Sequence, residues 1–322
     1  MEPLRAIFSA AFGYSLLRVS TPLIFASLAA VVSGRAGVIN IGIEGMMLAA
    51  AFAGVAVSAF TASAWLGLLG AVITGIFMAM VLAYFSLKLK TDIILGGIAL
   101  NLLASGGTIF LLYVLAGDKG ISSSLPSKVM PQVPIPIIKD VPVLGEIFSN
   151  HNVLTYIALV SVILLYYFLY RTPLGLRLRA VGESPEAAES VGISVHRIQF
   201  MALGISGLLA GLGGAHLSMG YVSWFSRDMT AGRGFIGLAA SAMGGDTPQG
   251  ALLTSLFFGF ADALSNYMQS LRVPSEFVQM IPYLATVLAL AIYSRRQLAR
   301  KRAAHRPSQK GVDPVVAHSG HH

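Results

Sequence analysis

The sequence predicts an all-α polytopic membrane protein of about eight to ten transmembrane helices, with one or more broken or re-entrant segments. Three observations carry this. Residues 45–87 contain no Asp, Glu, Lys or Arg, a stretch about twice the roughly 20 apolar residues that cross a bilayer as helix. Charged residues make up only 11% of the chain, against about 25% in soluble domains. The mean hydropathy is +0.74, and the 34 glycines suit helices that pack closely in lipid.

Charge-free windows give the spans in order: 19–32 extended back through Tyr14, then 43–60, 64–86, 93–115, 152–170, 198–219, 232–248, 250–271 and 276–294. The Gly-rich window 232–248 reads as a half-helix or re-entrant segment, which is tolerated at membrane depth only where protein buries it. Met1 to Arg18 carries Arg5 and Arg18 and shows no small-residue cleavage site, so no cleavable leader is expected.

Lys and Arg mark the cytoplasmic side. They gather at Lys88 and Lys90, at Arg171, Arg177, Arg179 and Arg197, and in the tail at Arg295, Arg296, Arg300, Lys301, Arg302 and Arg306. Four crossings separate the loop 171–197 from the tail, so both lie on one side. Counting back from Lys88 places Arg35 inside and Met1 outside, unless 3–18 form a further span. The segment 116–151 then falls outside; its prolines (Pro126, Pro131, Pro134, Pro136, Pro142) mark an ordered loop. The net charge of +8 belongs to these membrane edges and not to a nucleic-acid surface. With no cysteine, disulfides, thiolate metal sites and Cys nucleophiles are excluded.

Within 171–197, Thr172-Pro173 with Gly175 is read as the end of a transmembrane helix. Ser184 is an N-cap candidate, Pro185 takes the first helical position and Glu186 the first turn. A short helix over 185–191 should then stop at Gly192 in the left-handed C′ position. It is either a solvated connector or a docking helix for a cytosolic partner.

In the stretch 34–45, Gly34, Gly37, Gly42 and Gly45 weaken a continuous helix by about 1 kcal/mol each, and Glu44 in the membrane costs roughly 2.5–3.5 kcal/mol on insertion scales. Such a segment sits at an interface or lines a cavity. Asn40 could cap the next helix and Glu44 favour its positive end; both could equally meet substrate. Asn101, Asp262 and Asn266 are polar at membrane depth and so are candidates for a translocation pathway. Asn101 could instead bond another helix. Asp262 and Asn266 share a face. His216 is placed near the outer end of its span. Gly207 and Gly211 offer a close-packing face. No G-x-x-x-x-G-K-[ST], H-E-x-x-H or G-x-S-x-G occurs, so neither P-loop ATP binding nor those hydrolytic chemistries are expected. No metal site is expected, and His318, His321 and His322 belong to the tail.

Glu186-Ala187-Ala188 followed by Gly192 resembles the coupling-loop signature of ABC importer permeases. Thr21-Pro22-Leu23-Ile24-Phe25-Ala26 and 33–47, which reads SGRAGVINIGIEGMM, are similar to permeases of the branched-chain amino acid/ribose importer group. So are the GRGFIGLA of 232–239 and the GGDTP of 244–248. The likeness is nearest to nucleoside-uptake permeases. It implies a single permease domain over 1–306, with a cytoplasmic coupling loop 171–197, an extracytoplasmic loop 116–151 and a disordered cytoplasmic tail over 307–322. It implies no enzyme and no cofactor in this chain, with ATP and Mg held by a separate cytosolic ATPase that grips Glu186, Ala187, Ala188 and Gly192. The implied partners are that ATPase, a homologous second permease and an extracytoplasmic substrate-binding protein. The implied place is the bacterial inner membrane, with the C-terminus cytoplasmic and nucleosides moving inward by alternating access. The alternatives are an ion-coupled secondary transporter using Glu44, Asp246 or Asp262, and the same ABC family importing simple sugars or branched-chain amino acids.

Overall fold

A computed structural model describes residues 9–136 and 144–270. The expected span 276–294 and the basic, histidine-containing tail lie outside the described residues. The chain is helical almost throughout: α1 (Ala10–Arg35), α2 (Ile43–Thr61), α3 (Ala64–Ala83, continued by a π turn over Tyr84–Lys88), α4 (Ile93–Ala116), β1 (Gln132–Val133), α5 (Leu144–Phe148), β2 (His151–Asn152), α6 (Val153–Arg171), α7 (Pro173–Glu183), α8 (Pro185–Ser190), α9 (Val195–Met219), α10 (Arg233–Met243) and α11 (Pro248–Ser270). Among the described residues six helices are long and apolar enough to cross a bilayer: α1, α2, α3 with its π turn, α4, α6 and α9. The all-α polytopic expectation holds, and each predicted window within the described residues meets a helix.

α1 is the central element. Ser9 caps it by accepting from the Phe12 amide, and every residue from Ser20 to Ser33 is buried. α4 lies at the other extreme, with Leu102, Leu103 and Phe110 63–70% exposed, an apolar surface that suits lipid or another helix but not water.

The bundle closes where small residues let backbones touch. Gly75 of α3 faces Gly207 and Gly211 of α9, and Gly214 of α9 faces the backbone of Met47 and Ala51 in α2. A side chain on any of these glycines would hold the helices apart, which matches the close-packing reading of Gly207 and Gly211. Gly67 lies against Met219 while Gly204 lies against Met80, so α3 and α9 are antiparallel. The π turn with Lys88 therefore shares a pole with the start of α9 and the α7–α8 loop. Arg35 is at that pole too, because Gly182 of α7 abuts its backbone. The opposite pole carries a cap made of 117–136, the β1–β2 pair and 219–231. Met130 N donates to Met219 O at 2.8 Å, and Asn152 Nδ2 donates to Met130 O and Gly220 O at 2.9 and 2.7 Å. Pro126, Pro131, Pro134 and Pro136 of the proline-rich segment lie in this cap, and Pro142 lies outside the described residues.

Thr172-Pro173 ends α6 as expected, and Thr172 also caps α7, its Oγ1 accepting from the Gly175 amide at 3.1 Å. Pro173 at the first helical position breaks the ladder and restarts it at once, and Gly175, Leu178 and Val181 turn inward. One local expectation needs correction: Asn40 does not cap α2. The N-cap position is Gly42, which makes no side-chain bond. Asn40 is fully buried and donates to Ser206 Oγ at 2.9 Å.

Candidate functional site

The first candidate region is the short helix α8. Ser184 Oγ accepts from the Ala187 amide at 3.3 Å, Pro185 stands in the first turn, and Glu186 complements the positive helix end. Gly192 has φ +83°, the left-handed stop expected of it, and the following Ile193 amide returns to Ala188 O at 3.0 Å. Ala188 is buried while Glu186, Ala187 and Gly192 are exposed. Val191 stands out at 74% exposure. The helix thus presents an outer face and anchors itself through one alanine.

Behind α8, α7 ends against the end of α1. A Cβ on Gly182 would strike Arg35 O and lie 3.0 Å from the Gly37 amide nitrogen. Arg35 in turn reaches the GGD turn after α10, its Nε donating to Asp246 O at 2.6 Å and a terminal nitrogen to Gly245 O at 3.0 Å. Asp246 Oδ1 accepts from Ser241 Oγ at 2.7 Å. A chain of contacts therefore runs from α7, which α8 follows directly, through Gly182 to the Arg35 backbone and by the Arg35 side chain to the turn after α10. Nothing local in the sequence marks Gly182 for this close approach; only its contact does.

The second region lies where α2 and α10 begin. The first-turn amides of a helix have no partner of their own. Here both starts are capped by side chains of other helices. Asn101 of α4 accepts from the Gly45 amide at 2.8 Å and donates to Ile41 O at 3.0 Å. Glu44 of α2 accepts from the Gly232 and Gly234 amides at 2.8 and 2.6 Å. α10, an 11-residue helix about 16 Å long, is the expected half-helix, and it runs from Glu44 to the Arg35 pole. The non-helical stretches that feed α2 and α10 are buried only in part: Val38 is 4% exposed and Asn40 and Thr230 are fully enclosed, whereas Ile39 is 57% exposed. The carboxylate in the first turn of its own helix is spent on a neighbour's positive end.

The third region is outward of that clamp. Arg233 of α10 pairs with Asp262 of α11 at 3.4 Å. Asn266, one turn further along α11, lines a cavity of about 500 Å³ with Phe12, Ser15 and Arg18 of α1. So Asp262 and Asn266 do share a face, turned to α1 and α10, whereas Asn40, Glu44 and Asn101 form a separate cluster at the helix starts. In the cap, His151 stacks on Tyr14 with centroids 4.1 Å apart. Its Nε2 lies 2.8 Å from Ile147 O and its Nδ1 3.0 Å from the Tyr221 hydroxyl. A carbonyl can only accept, so Nε2 carries the proton and Tyr221 donates to Nδ1. Burial holds the His151 pKa below its usual value.

Six helices able to cross a bilayer, a short half-helix, a cap at one pole and an exposed, capped short helix at the other make a polytopic membrane bundle. The family of permease components of branched-chain amino acid transport systems matches over residues 13–290, and the chain belongs to it. It is an ABC transporter permease and not an enzyme. Over 298 residues it is 36% identical to the nucleoside ABC transporter permease NupC of Lactococcus lactis subsp. cremoris, covering 89% of this chain and 93% of that one. Over 293 residues it is 37% identical to the guanosine ABC transporter permease NupQ of Bacillus subtilis, covering 88% and 91%. The glucose ABC transporter permease TsgB13 of Haloferax volcanii is 27% identical over 283 residues, covering 84% and 74%. In fold, the chain matches an ABC transporter solved in an inward-facing conformation, with a TM-score of 0.55 at 17% identity, covering 89% of this chain and 88% of that one.

Proposed function

We propose that the chain is the membrane subunit of a nucleoside importer, working beside a second permease and fed by an extracytoplasmic binding protein. A cytosolic ATPase would grip α8 through Glu186, Ala187, Ala188 and Gly192. The basic pole, and the C-terminus with it, would face the cytoplasm of a bacterium. The observation that carries the reading is the path from α8 to α10: an exposed helix joined directly to α7, Gly182 of α7 against Arg35, and Arg35 on the turn that ends the half-helix. Closing the ATPases would displace α8, and that displacement would reach α10 without passing through a flexible loop. The similarity to two nucleoside permeases supports the cargo. The pathway would lie along the face of Asp262 and Asn266, with Asn40, Glu44 and Asn101 holding its inner wall in shape.

Two of the carboxylates that an ion-coupled transporter would use, Glu44 and Asp246, already bond to protein donors, and Asp262 is paired with Arg233. This favours ATP as the energy source. The test is uptake of labelled nucleosides by vesicles holding the complete importer. Uptake should survive a protonophore while ATP is kept constant, and stop when the ATPase subunit is inactivated. Uptake that follows the ion gradient and ignores the ATPase would end the proposal.

A further inference from the structure

Between α1, α9 and α10, on the outer side of the Glu44 clamp, lies a cleft of about 170 Å³. His216 lines it, 4% exposed, and among the described residues neither of its ring nitrogens has a hydrogen-bond partner. A buried imidazole with one idle donor and one idle acceptor is costly unless something completes it. Arg18 lines the same cleft. Its guanidinium lies 4.2 Å from the centroid of the Tyr221 ring, and among the described residues it pairs with no carboxylate. Arg233 closes the inner end, held by Asp262.

These groups state what they would bind. Two guanidiniums face one carboxylate, so the cleft has one positive charge in excess and far more donors than acceptors. Water could complete His216, but it would leave a charge placed flat on an aromatic ring at membrane depth without a reason. An acceptor-rich planar ligand answers both. The N7/O6 edge of a guanine-type purine matches one Arg fork bidentately, and its ring can stack on the plane of the other arginine. The cleft is the size of one base and too small for a whole nucleoside. The neighbouring cavity of about 500 Å³ shares Arg18 and Val19 with it and offers Ser15 and Asn266 to hydroxyls.

We propose that the cleft between Arg18, His216, Tyr221 and Arg233 is an outer substrate subsite that holds the acceptor edge of a purine base. The proposal rests on the nucleoside reading given above.

The experiment compares guanosine with 7-deazaguanosine, in which N7 is replaced by C–H and the sugar is unchanged. Uptake per assembled importer is measured in vesicles for the wild type, Arg18→Lys, His216→Leu and His216→Gln. The wild type should favour guanosine by about tenfold. Arg18→Lys keeps the charge and loses the fork, so the ratio should fall close to one, with guanosine uptake losing more than 7-deazaguanosine uptake. His216→Leu should raise KM for both more than it lowers kcat, and His216→Gln should restore part of it. Any preference set in the binding protein is common to all variants and cancels. A wild type that does not distinguish the two purines, or an Arg18→Lys ratio equal to the wild-type ratio, overturns the subsite and leaves the importer reading standing. An importer that takes up no nucleoside but drives another solute with ATP removes both.

Discussion

Asn101→Leu separates a residue that builds the permease from one that touches its cargo. In the structure the Asn101 amide is fully engaged, Oδ1 with the Gly45 amide at 2.8 Å and Nδ2 with Ile41 O at 3.0 Å. Gly45 is the third residue of α2, so its N–H has no intrahelical acceptor. Leucine fills similar space and takes both partners away. A buried backbone group left unpaired costs about 1–3 kcal/mol, and two groups give about 2–6 kcal/mol. Interhelical side-chain bonds in membranes average only about 0.6 kcal/mol because the groups find other partners. The Gly45 amide is enclosed by α4 and has no such choice, since even a Cβ on Gly45 would lie 2.8 Å from Asn101 Cα. The lower half of the range, about 2–4 kcal/mol, is therefore expected. The assay pairs the melting midpoint of the purified complex with nucleoside flux per assembled complex. Asn101→Leu should lower the midpoint and the yield of complex, with flux per assembled unit retained. Glu44→Gln, which turns one of two carboxylate acceptors into a donor facing an N–H, should do the same. A normal midpoint with reduced flux would refute the capping argument and put Asn101 in the path itself.

Gly192→Val forces a β-branched residue to φ +83°, where an ordinary L-residue already costs about 1–2 kcal/mol; since a Cβ there meets nothing within 4 Å, the strain is confined to the α8 stop, and ATP hydrolysis should uncouple from uptake without loss of membrane insertion. Gly75→Ala places a methyl 2.9 Å from Gly211 Cα and against Gly207 O, and should cost about 1–3 kcal/mol of bundle stability, read as a lower melting midpoint. His151, whose pKa is held down by burial, makes the outer cap pH-sensitive: the unfolded cap binds the extra proton, so stability is fully present above about pH 6.5 and is lost as pH falls toward the folded value. Melts between pH 8 and pH 5 should show this slope, and His151→Gln should flatten it.

The elements were legible where their cause is local. A missing charge over 45–87, the Ser184-Pro185-Glu186 start and the Gly192 stop each act within a turn or two, and α3, α8 and α10 lie where they predict. α7 was hidden because Pro173 after Thr172 is a stop signal and a start signal at once; only the inward turn of Gly175, Leu178 and Val181 decides between them. The caps of α2 and α10 were hidden for another reason. Local spacing offers Asn40 as a possible cap for α2, but it sits two residues ahead of the N-cap, and the acceptor comes from Asn101, 56 residues from Gly45. A side chain that caps another helix leaves no spacing to read. The same holds for Arg18 and His216, whose meeting depends on how α1 crosses α9.

Trans-capping also bears on how such a bundle could move. Glu44 begins one helix and holds the start of another, so α2 and α10 cannot slide apart without breaking two charge-assisted bonds together. At its far end α10 runs into the turn held by Arg35, through two carbonyls that lie on adjacent residues. α10 is thus fastened at both ends to rigid helices and attached along its side to Ala26 and Ser27 of α1 by the missing side chain of Gly237. A push arriving at Gly182 then has two outcomes: it moves α1, α2 and α10 as one body, or it shears the glycine contact between α10 and α1 while both end clamps hold. Both keep the end clamps, and the second asks only that the packing at Gly237 give. Widening that face with Gly237→Ala costs stability, as at Gly75, but should lower flux per assembled complex beyond that loss, and a variant that loses both in proportion would favour the single-body motion.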